Sequence, residues 1–239
     1  MNKILKIHLA TMAMIIFSTA LWAQGQFNVS MDVKNMHYWR GLRVSDGFVT
    51  APMVGYYNQG FAVFAWGGLS VDGHYKEVSQ IVSYTKGNFN ITLLDIFNFT
   101  GAPDADYFNF KPDETNHITD LSIAWDFTDD IPLRLMFATV IYGNDRDSKG
   151  DNRYSSYLEA TFPFVRETYV VSPYAAVGFA LKSEDDNSLY GANAFDLVNI
   201  GLRVSRPVTL GSYTLPVTGT MGFNPSLKQA SVEIALSLF

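Results

Sequence analysis

Apolar and polar residues alternate one by one in several short segments of the chain, which is the pattern of a β-strand with one apolar and one polar face. In FNVSMDVK (27–34), the residues Phe27, Val29, Met31 and Val33 share one face and polar side chains occupy the other. Three more segments alternate as clearly: NFNITL (88–93), LVNIGLRV (197–204) and ASVEIALSL (230–238). We predict a strand in each of these four segments.

Four further segments alternate less regularly: FAVFAWGGL (61–69), HITDLSIAWDF (117–127), PLRLMFATVIY (132–142) and RYSSYLEATFPF (153–164). The first is apolar on both faces, and the second alternates only if His117 and Thr119 share a face with Leu121. Arg134 and Glu159 interrupt the last two. We predict that these segments also form strands.

Twelve strand segments can be counted in total, and they begin near Phe27, Phe48, Phe61, Glu77, Phe89, His117, Pro132, Arg153, Ser172, Asn193, Tyr213 and Leu227. This gives about 18 residues for each strand with its connection, which suits membrane strands of about 10 residues. Short connections are predicted at 58–60, 86–88, 129–132 and 206–213, and long ones at about 40–47, 100–116, 143–152 and 182–191. An even number of strands in this order puts both termini on the periplasmic side of a bacterial barrel.

The composition indicates that the outer faces of these strands contact lipid and not water. Aromatic residues make up 15% of the chain and charged residues 17%, against about 25% charged residues in ordinary soluble domains. Beyond the first residues no apolar stretch is long enough for a membrane helix, which needs about 20 residues. A closed barrel is the remaining structure that satisfies every backbone group inside a bilayer. The sequence therefore predicts an all-β fold, a transmembrane antiparallel up-and-down β-barrel of about 12 strands.

The first residues have the pattern of a secretory signal peptide. Lys3 and Lys6 precede an apolar run, and small residues follow it before Gln24. Cleavage after Ala20 or after Ala23 fits, and we take 1–23 as the signal peptide and 24–239 as one barrel domain. A membrane anchor is the alternative, but the run is short for a spanning helix. Export of a barrel predicts the outer membrane of a Gram-negative bacterium.

Removal of the two lysines leaves 15 basic residues against 23 acidic residues, a formal charge of −8. No cluster of Lys and Arg occurs, so nucleic acid is not an expected partner. The alternation predicts that charged side chains of the strands face the lumen, because an Arg that faces lipid costs about 2–4 kcal/mol at the bilayer midplane. The predicted pore-lining residues are Asp32, Lys34, Glu77, Asp120, Arg134, Glu159, Arg203 and Glu233. This set is more acidic than basic, which predicts a channel that is neutral to weakly cation-selective.

Aromatic residues at the ends of strands predict further contacts with the membrane. Tyr38, Trp39, Tyr56, Tyr57 and Tyr142 are candidates for an interfacial girdle. The chain ends on Phe239 after an apolar strand, which resembles the terminal signature by which the barrel-assembly machinery recognises its substrates. The alternation, however, runs through Leu238 and Leu236 instead of Phe239. The expected partners are outer-membrane lipids and lipopolysaccharide, the assembly machinery and small solutes.

Little in the sequence indicates catalysis, and no cofactor is predicted. No Cys is present, and the histidines after the signal peptide are His37, His74 and His117. Asp72 near His74 is the most suggestive pair for a hydrolase, although a solvated loop is the favoured explanation. Asp145, Asp147 and Asp151 are spaced as in a calcium loop, but Ser156 stands where that loop needs Glu, so no metal site is predicted.

The stretch YWRGLRVSDG (38–47), followed by apolar strand segments, resembles the opening of the TorF-type porins, the Gcw_chp conserved-hypothetical family. The residues that match are Tyr38, Arg40, Gly41, Ser45, Asp46 and Gly47, while Arg43 and Val44 depart from the family pattern. The resemblance implies an outer-membrane porin. We therefore expect a non-enzymatic channel for passive passage of ions or small solutes. The alternatives are an outer-membrane lipid-modifying hydrolase and a structural barrel without a pore.

Overall fold

The computed structural model describes residues 25–102, 104–128 and 130–239. The predicted signal peptide and its cleavage site lie outside the described residues. The described part of the chain contains strands β1 (Gln26–Lys34), β2 (His37–Trp39), β3 (Leu42–Ser45), β4 (Val49–Asn58), β5 (Phe61–Ser70), β6 (Lys76–Lys86), β7 (Phe89–Asn98), β8 (His117–Asp126), β9 (Arg134–Gly143), β10 (Ser155–Thr161), β11 (Phe164–Val165), β12 (Val170–Ala180), β13 (Phe195–Leu210), β14 (Tyr213–Asn224) and β15 (Gln229–Ser237).

Twelve of these strands form a closed antiparallel barrel, which confirms the predicted fold class. Each strand pairs with its neighbours in the chain, from β1 and β4 through β10 and from β12 to β15. Pairing of β1 with β15 closes the ring, with only three residue pairs between Asp32–Lys34 and Ala235–Ser237. By contrast, β1 and β4 share nine residue pairs. The two-residue β11 pairs only with β12, and β2 pairs only with β3.

The four predicted long connections are present, and all four lie at the same end of the barrel. At one end of the barrel the strands are joined by short turns, such as those at Gln59–Gly60 and Gly87–Asn88. At the other end, longer connections follow β1, β7, β9 and β12. The predicted turn at 206–213 is wrong, because Arg206–Leu210 continue β13 in register with β14 and the chain reverses only at Gly211 and Ser212. Gly211 has a φ of +63° there, which a glycine adopts without steric cost.

The outer face of the barrel is apolar around its whole circumference. Its exposed side chains include Phe27, Val29, Val54, Val63, Leu69, Val78, Val82, Leu93, Ile123, Leu135, Ile141, Leu158, Leu197, Ile200, Met221, Val232 and Ile234. The inner wall at the short-turn end is lined by polar side chains of the opposite parity, among them Asn28, Ser30, Ser83, Thr92, Ser122, Ser172, Ser205 and Thr218. This arrangement reverses the usual placement of apolar side chains in water-soluble proteins.

Aromatic side chains collect on the outer face near the short turns, and they match the predicted girdle only in part, at Tyr56. Phe27 lies against Tyr56 with ring centroids 5.1 Å apart, and Phe89 lies against Trp125 at 6.3 Å. Tyr38 and Trp39 belong to β2 and lie inside the barrel, so their assignment to a girdle is wrong. Between residues 25 and 239, the described chain contains no helix long and apolar enough to span a membrane.

Candidate functional site

The strands β2 and β3 form a short hairpin that folds into the lumen. Trp39 pairs with Leu42, so the hairpin turns on two residues, Arg40 and Gly41. Both have positive φ, 48° and 87°, as a tight hairpin turn of this length requires. A Cβ on Gly41 would lie 2.4 Å from the carbonyl oxygen of Val198 on the opposite wall. Glycine is therefore needed at the tip, where backbone meets backbone.

The tip of the hairpin is held by a buried ion pair. Arg40 donates from Nη1 and Nη2 to the two carboxylate oxygens of Asp120 on β8, at 2.7 and 2.8 Å. Asp120 is fully buried. Arg40 Nη1 also donates to the hydroxyl of Tyr190 at 3.0 Å, and the guanidinium lies 4.7 Å from the ring centroid of Trp39. Two parallel hydrogen bonds fix the planar guanidinium in one orientation.

Other contacts fasten the hairpin to the walls on either side. The backbone N–H of Tyr38 donates to Glu233 Oε2 at 2.9 Å, and its hydroxyl donates to Asn199 Oδ1 at 2.7 Å. Asn224 Nδ2 donates to the carbonyl oxygen of Gly41 at 3.3 Å. Apolar packing adds to this, since Trp39 and Leu42 lie against a buried cluster of Ala138, Tyr157, Ala176, Tyr190 and Val198. We call residues 37–45 the lumenal hairpin.

The residues that carry the family resemblance build this hairpin and its exit. Tyr38, Arg40 and Gly41 make the contacts just described, and Ser45 ends β3 opposite His37. Asp46 forms an exposed ion pair with Arg43 at 3.3 Å. The predicted outer loop at 40–47 is thus a connection that turns inward.

All eight predicted pore-lining residues lie at inward-facing positions of their strands, as the paired registers show. Three ion pairs form within the set and its neighbours: Arg40 with Asp120, Lys34 with Glu233 at 3.9 Å, and Arg134 with Asp126. Among the described residues, Asp32, Glu77, Glu159 and Arg203 remain without an ion-pair partner. The unpaired charges of the inner wall are therefore mainly negative.

Two of these carboxylates are held by the same local pattern, Tyr-x-Glu-x-Ser/Thr. The side chains at alternate positions of a strand point to one face, so the Tyr and the hydroxyl residue both reach the Glu between them. Tyr75 and Ser79 donate to the carboxylate of Glu77, both at 2.9 Å. Tyr157 and Thr161 donate to Glu159 at 2.6 and 2.8 Å in the same way. Neutral donors thus stabilise each carboxylate.

A cavity of about 300 Å³ lies between the lumenal hairpin and the wall formed by β5 to β8. Its lining is mostly apolar: Trp39, Leu42, Val44, Trp66, Ile81, Leu94, Ile96, Ile118 and Leu189, with His37, Glu77, Ser79 and Asn98 as polar members. The ring of His37 lies 5.5 Å from the rings of both Trp66 and Tyr75. Burial lowers the pKa of His37 to about 3, so its imidazole is neutral near pH 7.

The candidate catalytic and calcium-binding residues have structural roles. Asp72 accepts hydrogen bonds from Ser70 Oγ at 2.5 Å and from the backbone N–H of His74 at 3.1 Å. These bonds hold the pKa of Asp72 below its ordinary value. Asp145 accepts a hydrogen bond from the backbone N–H of Ser155 at the start of β10, and Asp147 accepts one from the backbone N–H of Asp151. The described residues contain no group of three or more potential ligands that could hold a metal ion.

The connection between β7 and β8 (99–116) folds over the outer wall and covers His117. Nδ1 of His117 lies 2.8 Å from Asp95 Oδ2, and Nε2 lies 2.8 Å from the carbonyl oxygen of Tyr107. Its ring stacks on Phe110 at 4.4 Å. The ring of His117 therefore links the barrel wall to this connection.

Replacement of His117 by Ala is expected to loosen this connection. Hydrogen bonds to charged groups contribute about 1.5–3 kcal/mol, and 1.4 kcal/mol is about tenfold in an equilibrium. Chymotryptic cleavage after Phe108, an exposed residue of the connection, should therefore become at least about tenfold faster. His74→Ala, in another connection at the same end, is the control. Equal cleavage rates in the two variants would contradict this role of His117.

Comparison with known proteins finds similarity to solved structures but no match in sequence. No family model matches the chain, so membership of the TorF-type family stays a prediction. No curated protein matches either. Among solved structures, the NanC porin in a rhombohedral crystal form aligns with a TM-score of 0.48 and 9% sequence identity, over 88% of this chain and 98% of that chain. The architecture described above follows from the strand pairing of this chain itself.

Proposed function

We propose that this protein is an outer-membrane porin through which ions and small solutes pass passively, and in which the lumenal hairpin narrows the path. The observation that carries the proposal is the closed ring with an apolar outer face and, at the short-turn end, a polar inner wall. In a bilayer, only a closed barrel or a helix pairs all its backbone groups. An apolar exterior around the whole ring fits lipid, and a polar interior fits water.

Further features support this assignment. The sequence pattern of a signal peptide supports export, and the alternating connections support an orientation with the long ones outside the cell. The TorF-type resemblance at 38–47 supports a porin. Lipids and lipopolysaccharide would surround the apolar wall, and the assembly machinery would recognise the apolar face of β15, which includes Val232 and Ile234.

The charges of the inner wall favour cations over anions. Asp32, Glu77 and Glu159 have no ion-pair partner among the described residues. Of the basic residues in the predicted set, Arg203 alone lacks an ion-pair partner among the described residues. Arg203 lies over the ring of Tyr174 at 5.3 Å. Unpaired carboxylates along a pore attract cations.

Single-channel recording tests the function. The refolded protein in planar bilayers, with a KCl gradient, is expected to give discrete conductance steps and a reversal potential on the cation-selective side. Folding is checked separately by the mobility shift between boiled and unboiled gel samples. A folded protein that gives no steps would overturn the channel and favour a structural barrel. A reversal potential on the anion side would contradict the role of the three carboxylates.

A further inference from the structure

The cavity beside the lumenal hairpin has the size and lining of a site for a small molecule. Its volume of about 300 Å³ is at the lower end of the range for ligand pockets, which are mostly apolar with a few polar groups. Four of its lining residues belong to the hairpin, His37, Trp39, Leu42 and Val44. The opposite side is the barrel wall. A solute that enters the lumen would therefore meet this cavity at the level of the hairpin.

Glu77 is the acidic residue among the described residues that line this cavity. Glu77 is 9% exposed, and it accepts hydrogen bonds from Tyr75, Ser79 and, at 3.4 Å, from Asn98. These donors are neutral, and no Lys, Arg or His of the described chain forms an ion pair with Glu77. A carboxylate accepts about four hydrogen bonds, so Glu77 has room for one more donor.

The other polar groups at the cavity do not compete for a cation. His37 is nine-tenths buried, and its Nδ1 has no hydrogen-bond partner among the described residues. The closest carboxylate oxygen to this atom belongs to Glu233 at 4.0 Å. The guanidinium of Arg40 already lies over the ring of Trp39 at 4.7 Å, so the indoles at the cavity contribute apolar surface. The cavity thus combines an apolar body, two indoles and one unpaired carboxylate.

We propose that this cavity binds a small organic cation with an apolar body, of the arylalkylamine class, with its ammonium group on Glu77 and its ring among the apolar side chains. This inference rests on the proposed function, because such a solute would reach the cavity through the lumen. The channel would hold solutes of this class in the cavity during passage.

Calorimetric titration of the protein in lipid nanodiscs tests the proposal, with empty nanodiscs as the blank for partition into lipid. The probes are 2-phenylethylamine, ethylbenzene and phenylacetate, which share a ring and differ in charge. We expect 2-phenylethylamine to bind at least about tenfold more tightly than ethylbenzene at pH 7, because a charge-assisted hydrogen bond is added. Phenylacetate is expected to bind more weakly than both.

Two matched variants locate the site. Glu77→Gln keeps the shape of the side chain and removes the charge, so it should reduce the affinity for 2-phenylethylamine at least about tenfold and leave ethylbenzene unchanged. Glu159→Gln alters the other Tyr-x-Glu-x-Ser/Thr carboxylate, which does not line the cavity, and should change neither. Equal binding of the amine and ethylbenzene, or equal losses in the two variants, would overturn the proposal. If Glu77→Gln does not fold, the comparison of the three probes on the unaltered protein still tests the proposal.

The same preparations separate this inference from the proposed function. If the protein conducts but does not bind the amine selectively, the proposed porin function stands and the proposed amine site is wrong. Selective amine binding in a protein that never conducts would support the amine site and overturn passage through the lumen. Millimolar 2-phenylethylamine is also expected to reduce the single-channel current of the unaltered protein and to have a weaker effect on Glu77→Gln.

Discussion

Replacement of residues 36–47 by a four-residue turn is expected to raise the single-channel conductance several-fold. The lumenal hairpin occupies the cross-section of the barrel between Asp120 on one wall and Glu233 on another. Its removal replaces packed side chains by water, and the current through a pore follows its open area. The ends to be joined are already adjacent, because Lys34 pairs with Val49 across β1 and β4. A short turn can therefore close them without distortion of the ring.

A shortened hairpin at the other end of the barrel is the control for this experiment. Residues 209–214 form the tip of the β13–β14 hairpin, between the paired residues Val208 and Leu215. A two-residue Asn-Gly turn in their place should leave the conductance unchanged. If removal of the lumenal hairpin also leaves the conductance unchanged, the narrowest part of the path lies elsewhere and its proposed role is wrong.

Replacement of Arg40 by Met is expected to destabilise the folded protein strongly. The buried carboxylate of Asp120 would lose its bidentate partner, and removal of one member of a buried ion pair costs about 3–5 kcal/mol. Asp120→Leu should cost a similar amount, because it leaves the guanidinium unpaired. The double variant Arg40→Met, Asp120→Leu should recover most of the loss, since apolar residues of similar volume often replace a buried pair without cost. Urea unfolding in lipid vesicles, followed by Trp fluorescence, measures these free energies.

The exposed ion pair of Arg134 with Asp126 supplies the matched control. Its two side chains are 40% and 50% exposed, and exposed pairs contribute about 0–1 kcal/mol. Arg134→Met should therefore have a small effect. If Arg40→Met instead releases the hairpin while the ring stays folded, the free energy of unfolding changes less and the conductance rises. A variant with unchanged stability and unchanged conductance would contradict the anchoring role of the Arg40–Asp120 pair.

The strands were predictable because their outer faces meet one solvent throughout. Alternation in FNVSMDVK and ASVEIALSL reports the apolar exterior directly, and the inward placement of Glu159 and Arg134 follows from parity. The position of Asp120 was predictable for the same reason. Its partner Arg40, 80 residues earlier in the chain, was not, because no local pattern reports which distant side chain will occupy the lumen.

The lumenal hairpin shows where this reasoning fails. Tyr38 and Trp39 are aromatic residues near the end of a strand, and a pattern of two faces does not distinguish an apolar residue that faces lipid from one that faces a packed interior. The sequence HYWRGLRVS does hold a signal, a Gly in the second position of a possible two-residue turn between short alternating runs. The cavity was not predictable, because it depends on how closely Trp39 and Leu42 pack against one wall and not the other.

The short β1–β15 seam is the place where the barrel wall is expected to open locally. Three residue pairs hold it, with backbone hydrogen bonds from Leu238 to Met31 and from Asn35 to Ile234 at its two ends, against nine pairs on the other edge of β1. Fewer pairs favour local opening at this seam. The seam adjoins Asn35, whose side chain bonds to the backbone of β15, and the lumenal hairpin follows directly. Amide hydrogen exchange would then proceed fastest along this line, and any sideways route between the lumen and the surrounding lipid would begin next to the hairpin.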